Sequence, residues 1–417
     1  MTLSPTERRV VEAVDGAAIV TDLATMVAIP SIGGSAGEVA VQRWCGDRLA
    51  ALGAEVDLWT LDLPALRESP GYPGEEVVRD EAIGCVGTLG ASAPALILAG
   101  HTDVVPPGDL GAWTSDPWRL RDDGGLLYGR GTCDMKGGLA AVLGAISALR
   151  ATGVRLRRSV AVHCVVGEED GGIGAHATLQ RGHGGDACVI AEPSSATVVT
   201  ANAGSLTFRL EVPGQAAHGS ARTEGVSALE AATPVLAALR ELERRRNRDV
   251  DPSLAHLDIA YPLSIGVVRA GDWASTVPDL LVAEGRYGVR IGEPVERARA
   301  EFESTVAAAC EGDPWLSAHP ARVSWPGGVF ASGRLPDGHG LLDDVRSACT
   351  DAARWTPEAK GAPSGSDLRL YAAAGIPTLL LGPGDLAVAH AGDEHVASAD
   401  LVACARAYAL LVLRSCG

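Results

Sequence analysis

Residues 165–174 read VVGEEDGGIG, which sets Glu168, Glu169 and Asp170 side by side between an apolar run and a pair of glycines. Three neighbouring carboxylates repel one another, so a cation or a great deal of water must lie close by. The arrangement recurs. PALILAG (94–100) is followed by His101 and Asp103, LLYG (126–129) by GRGTCDMKGG with Asp134, SVAVHCVV (159–166) by Glu168 and Glu169, and ACVIA (187–191) by Glu192. A single acid after a strand is most simply a solvated loop residue. Four such coincidences in chain order are harder to dismiss.

Asp103, Asp134, Glu168, Glu169 and Glu192 would crowd five carboxylates into one partly buried place. Without a metal most of them would have to protonate. Two divalent cations remove the difficulty, because three anionic ligands against two M²⁺ leave a net charge of about +1, enough to hold a bridging hydroxide whose proton a nearby Glu168 can take. Oxygen and imidazole ligands without sulfur suit Zn²⁺ and accommodate Co²⁺ or Mn²⁺.

The elements that must position these groups are short apolar runs alternating with helical patterns, the sign of an α/β fold with a mostly parallel sheet flanked by helices. In such a sheet ligands collect at the carboxyl ends of the strands, where these side chains should converge. KGGLAAVLGAISALR (136–150) has helical spacing, and IPTLLLG (376–382) is a late strand of the same kind. Between about 203 and 329 the order changes to strand (205–212), helix (225–245), strand (263–270), strand (280–290), helix (294–310) and strand (320–325), a ferredoxin-like βαββαβ unit. The expected organisation is therefore one catalytic domain, 1–202 and 330–417, split around an inserted domain, 203–329.

HTDVV, GRGTCDMKGG, GEEDGG and AEPS, with the late GPGDLAVAHAGDEH, resemble the co-catalytic zinc hydrolase family that includes acetylornithine deacetylase, succinyl-diaminopimelate desuccinylase, aminoacylase-1 and carboxypeptidase G. The likeness spans nearly the whole chain and implies a zinc-peptidase-like catalytic domain with an inserted lid or dimerisation domain. Carried over residue by residue, it implies that Asp134 bridges two Zn²⁺ ions, that His101 and Glu192 bind one of them, and that Glu169 and His390 bind the other. Glu168 would be the general base and Asp103 a carboxylate orienting His101. Adjacent glutamates would then divide the work, one holding metal and its neighbour moving the proton. In GQAAHGS, His218 resembles the family histidine that reaches into a partner subunit's site to stabilise an oxyanion, which implies a homodimer through the inserted domain.

Two places depart from the family pattern on the substrate side. Ser275 stands where many members carry asparagine, and the arginine expected on the following strand falls at Gly288, with Arg286 and Arg290 on either side. At 391 an alanine replaces the common Ser or Thr. Other signals are decoys: GGSAG (33–37) lacks the strand-to-helix context of a nucleophile elbow, and a pyrophosphate at GIGAHA (172–177) would sit beside Glu168 and Glu169. His163 reads as a hydrogen-bonded core residue, His176 as a surface or loop residue, and RRRNR (244–248) as a solvated helix end.

At 417 residues, 47% apolar and 21% charged, the chain has ample material for more than one core. Its formal charge of −17 argues against nucleic-acid or anionic-membrane partners. Nine cysteines, with no C-x-x-C pair, disfavour thiolate zinc sites and a disulfide framework and fit a reducing cytoplasm. Glu7, Glu12, Asp15 and Asp22 interrupt any leader-like stretch, so a soluble cytoplasmic protein is expected.

The implied activity is hydrolysis of the amide bond of a small-molecule N-acyl amino acid or related N-acylated amine, a deacylase or deacetylase reaction. The alternative within the same chemistry is a zinc exopeptidase, either dipeptidase or carboxypeptidase. A non-catalytic binding protein would have lost a ligand or the base, whereas His101, Asp134, Glu168, Glu169, Glu192 and His390 are all present.

Overall fold

In the computed structural model, which describes residues 3–417, the chain falls into two compact units. One comprises residues up to Thr200 with Arg334–Lys360 and Ser366–Gly417; the other comprises Ala201–Gly333 with Gly361–Gly365. Among the described residues no helix is long and apolar enough to cross a membrane.

The first unit is a mixed α/β structure around a mainly parallel sheet flanked by helices. From one edge the strands run Glu55–Thr60, Ile83–Leu89, Ser159–Val165, Pro94–His101, Cys188–Ile190, Thr378–Leu380 and Val198–Asn202. Ser159–Val165, Pro94–His101, Cys188–Ile190 and Thr378–Leu380 are mutually parallel, with antiparallel neighbours on both sides. Strands covered on both faces read as unbroken apolar runs, and Ser159–Val165 is buried at every position. The helix Lys136–Ala151 packs on Pro94–His101 and against Gly16–Val27 and Ser398–Cys416. Its entry is tight: a Cβ on Gly138 would lie 2.0 Å from the Ala191 carbonyl, so glycine lets the helix start abut the strand end that leads to Glu192.

One expectation about the sheet is corrected. LLYG is not a strand of the parallel sheet. Leu126–Tyr128 pairs with Arg121–Asp123 and His395–Ala397 in a separate three-stranded sheet, so Asp134 reaches the site from a loop beyond that sheet. A three-residue apolar run carries no information about which sheet it joins.

The second unit runs strand Gly204–Pro213, helix Ala228–Arg246, strands Leu263–Ala270 and Leu280–Val289, helix Val295–Glu311 and strand Arg322–Ser324. Its antiparallel sheet has the order Leu263–Ala270, Leu280–Val289, Gly204–Pro213, Arg322–Ser324. Here burial alternates strictly along Gly204–Pro213, the signature of a sheet covered on one face. Phe208 and Tyr287 meet Phe302 from the adjacent helix, with ring centroids 4.8 and 5.1 Å apart. Arg246, expected to solvate a helix end, is instead fully buried: it donates to the Gly288 carbonyl at 3.0 Å, pairs with Glu293 at 2.5 Å and with Glu301, and lies over the Tyr287 ring. The basic run is amphipathic in three dimensions, one arginine turning inward to a prearranged pair of acids.

Phe302→Ala should therefore destabilise the second unit by about 3–5 kcal/mol through lost burial and the cavity left behind. Differential scanning calorimetry should show a transition moved to lower temperature; an unchanged thermogram would mean that this aromatic cluster is not the unit's core.

Candidate metal centre

Side-by-side parallel strands deliver the reactive groups. Pro94–His101 ends on His101, Ser159–Val165 leads to Glu168 and Glu169, Cys188–Ile190 to Glu192, and Thr378–Leu380 to the loop carrying His390. Together with Asp134 these groups converge. His101 Nε2 lies 3.0 Å from Asp134 Oδ1 and 3.7 Å from Glu192 Oε1. His390 Nε2 lies 3.0 Å from Glu169 Oε2 and 3.4 Å from Asp134 Oδ2. Asp134 thus stands between the two imidazoles. Potential ligand atoms of His101, Asp134 and Glu169 form one group within 4.8 Å, and those of His101, Glu168 and Glu192 form a second. By distance alone Glu168 is as close to this cluster as a ligand would be.

The two glutamates differ in how they are held. Glu169 is bonded to His390, and its backbone N–H donates to Asp103 Oδ2 at 3.2 Å. The buried Glu168 carboxylate has no hydrogen bond or ion pair among the described residues. Asp103 also differs from expectation in detail. Its backbone carbonyl lies 2.9 Å from His101 Nδ1, whereas its carboxylate is 3.7 Å away. The residue fixes the ring nitrogen through its main chain and spends its side chain on the Glu169 backbone.

The electrostatics are those of a site built for positive charge. Burial, reinforced by Glu192, Asp367 and Glu169, pushes the Glu168 carboxyl well above the ordinary range. Burial also raises Glu192 and Glu169, with the neighbouring Asp134 adding to it in both. For His101 burial acts downward, but Glu192, Asp134 and Asp103 outweigh it and hold the imidazole well above its usual value. Hydrogen bonds to Asp134 and Glu169 push His390 up to about 10. The cluster thus favours positive charge, and divalent cations would satisfy the same donors. The donor atoms are carboxylate oxygen and imidazole nitrogen, a set that fits Zn²⁺, Co²⁺ or Mn²⁺.

The most informative residue absent from the sequence reading is Glu394, which is fully buried. Its Oε1 accepts the N–H groups of Cys133 and Asp134 at 2.9 and 3.0 Å, and its Oε2 accepts Gly131 N–H at 3.0 Å and Arg130 Nη1 at 2.6 Å. One carboxylate therefore ties the loop bearing His390 to the loop bearing Asp134. The sequence places two acids, Asp393 and Glu394, shortly after His390 in GDEH, and nothing local marks the second as buried. The loop is held in a demanding shape, since His390 adopts φ 61°, a conformation that costs a non-glycine residue on the order of 1 kcal/mol. Asp170, the last acid of the opening trio, faces away from the cluster and bonds Arg79.

Other candidates resolve as follows. His163 is a core residue whose Nδ1 lies 3.0 Å from Tyr371 Oη. His176 is buried and shares a 2.7 Å hydrogen bond with Ser69 Oγ, not exposed as expected, because the whole start of Ile173–Gln180 packs inward. In the second unit His218 is exposed, with Nδ1 held 2.7 Å from Ser220 Oγ. Of the two arginines flanking Gly288, Arg290 is engaged by Glu301 and the Arg246 carbonyl. Arg286 donates to Ser205 Oγ and the Pro363 carbonyl, both at 2.7 Å, and forms no ion pair among the described residues.

An imidazolium cannot ligate, so a metal taking His390 must displace its proton, and with the free site holding that proton up to about 10, metal affinity falls as pH drops below that value. Zinc added to metal-stripped protein at about pH 8 should release at least about one proton per chain, read by calorimetry in buffers of different ionisation enthalpy. Uptake without proton release would exclude His390 as a ligand.

Residues 97–414 match the model of the peptidase family M20/M25/M40. The chain is 32% identical over 364 residues to succinyl-diaminopimelate desuccinylase of Xylella fastidiosa, covering 84% of this chain and 92% of the relative. It is 27% identical over 394 residues to the N-formyl-4-amino-5-aminomethyl-2-methylpyrimidine deformylase of Bacillus subtilis, covering 87% of this chain and 86% of the relative. The fold superposes on that of the di-peptidase Dug1p from Saccharomyces cerevisiae with a TM-score of 0.78 at 16% identity over 99% of both chains. The chain belongs to the M20/M25/M40 family of peptidases.

Proposed function

We propose that the protein is a metal-dependent amidohydrolase that frees an amino group from an N-acyl amino acid or related N-acylated amine. The observation that carries this reading is the contrast within one dipeptide: Glu169 is bonded to His390 at the metal-type cluster, while the carboxylate of Glu168, buried beside it, has no hydrogen bond or ion pair among the described residues and is pushed towards protonation. A carboxylate raised in this way is a better proton acceptor than a solvated one and can give the proton back. Support for an acyl-removing reaction comes from the two curated relatives, both named for removing an acyl group.

In this reading His101, Asp134, Glu169, Glu192 and His390 would hold two divalent cations, Zn²⁺ by donor type, Asp134 standing between the two imidazoles. When bound, such cations polarise a carbonyl oxygen and acidify water. Glu168 takes the proton of the attacking water and delivers it to the leaving nitrogen. Asp103 keeps the His101 ring in orientation through its carbonyl and steadies the Glu169 backbone through its carboxylate. We further propose that exposed His218 serves the site of a second copy as an oxyanion donor, which makes the working form a homodimer through the second unit, and that the protein works in the cytoplasm, a setting that suits its nine unpaired, buried cysteines.

Glu168→Ala should retain bound metal and lose at least about a hundredfold in kcat. Near-normal turnover by that variant would remove Glu168 from the role. A panel of N-acetyl, N-succinyl and N-formyl amino acids beside dipeptides, scored for free amine, should show release from the N-acyl compounds; cleavage of dipeptides alone would make the enzyme an exopeptidase.

A further inference from the structure

Arg79 is a fully buried cation that no step above uses. We propose that Glu38, Arg79 and Asp170 form a clamp that positions Glu168, an inference that rests on the reading of Glu168 as the base. The guanidinium grips two carboxylates at once: Nε reaches Glu38 Oε2 at 2.9 Å and Nη2 reaches Glu38 Oε1 at 3.0 Å, while Nη2 and Nη1 reach Asp170 Oδ1 and Oδ2 at 2.7 and 2.8 Å. Relative exposure of the three side chains is 0, 1 and 7% for Arg79, Glu38 and Asp170. Both acids are tied further. Asp170 Oδ2 accepts the N–H groups of Glu76 and Val77 at 3.1 and 2.9 Å, and Glu38 Oε2 accepts Gly34 N–H at 3.0 Å.

Burying three charged groups is a poor way to gain stability, since apolar side chains of similar volume do as well or better. What it supplies is a fixed geometry, and the object fixed is the turn bearing the base. Asp170 lies two residues after Glu168, and Arg79 packs on Gly167 just before it, so closely that a Cβ on that glycine would come within 2.9 Å of Nη2. The other end of the turn is held by Arg369, whose Nη2 donates to the Gly171 carbonyl at 2.6 Å, and the turn is closed by a 2.6 Å bond from Gly172 N–H to the Gly167 carbonyl. Glu168 needs this support from outside. Its carboxylate has no hydrogen bond of its own among the described residues, so where the proton acceptor sits depends on the turn that carries it.

The clamp is tested with Arg79→Lys, which keeps the charge but loses the planar fork, and Asp170→Asn, which keeps the shape and an acceptor for Glu76 and Val77. On whichever panel compound the wild-type enzyme turns over, each variant should lose ~10–100-fold in kcat, with KM, bound metal and the folded fraction by circular dichroism nearly unchanged. Combined with Glu168→Ala, the same changes should have no further effect on the residual rate, because a positioning residue has nothing left to position. Wild-type kcat in either folded variant, a loss that tracks unfolding or metal release, equal losses with and without Glu168, or failure of both variants to fold would each overturn the proposal. If Glu168→Ala itself remains active, the base assignment fails instead, which separates the two ideas.

Discussion

Mutual repulsion among like charges is the constraint on which the rest of this structure depends. Two carboxylates about 4 Å apart at an effective dielectric near 20 oppose each other by roughly 4 kcal/mol, and Asp134, Glu168, Glu169 and Glu192 are all gathered at one rim of the sheet. Left to relax, loops carrying these acids would move apart. The surroundings can be understood as what prevents it: short connections from parallel strands, a helix start brought close by Gly138, and buried ion pairs that lock the loops from behind.

Those locks share a design. Glu394 is paired with Arg130 behind the loop of Asp134, and Asp170 with Arg79 at the turn that carries Glu168. In each case a fully engaged acid stands next in sequence or space to an acid left available. The engaged carboxylates accept several N–H groups and a guanidinium apiece, so their charge is spent locally. The available ones are buried with few donors, and their charge is free for a cation or a proton. Chemistry and scaffold are thus divided among residues of one type, and the local count of donors decides which is which.

That division also explains what was legible in the sequence. His101, Glu168, Glu169 and Glu192 each follow an apolar run buried on both faces of the sheet, a pattern readable one strand at a time, and the antiparallel unit showed itself through its βαββαβ order. The edge strand Glu55–Thr60 and its inner neighbour Ile83–Leu89 were passed over, since EVDLWT is half exposed and IGCVGTL is broken by glycines. Glu394 and Arg79 were illegible for a different reason. Their partners lie 264 and 91 residues away in the chain, and no local feature separates a buried, paired arginine from a solvated one. Arg246 and His176 were misread on the same account.

The same field bears on which metal such a site would accept. Cys133 adjoins Asp134, and a thiolate there would offer a soft ligand and change the preference of the centre. Burial, together with Asp134, Glu394, Asp385 and Glu192, drives that thiol far above its ordinary pKa, and its S–H donates to the Asp385 carbonyl at 3.3 Å. The acids that draw a cation in also keep the sulfur protonated and turned away. The sulfur beside Asp134 is thus engaged by a backbone carbonyl, and the donors gathered at the rim are imidazole nitrogen and carboxylate oxygen.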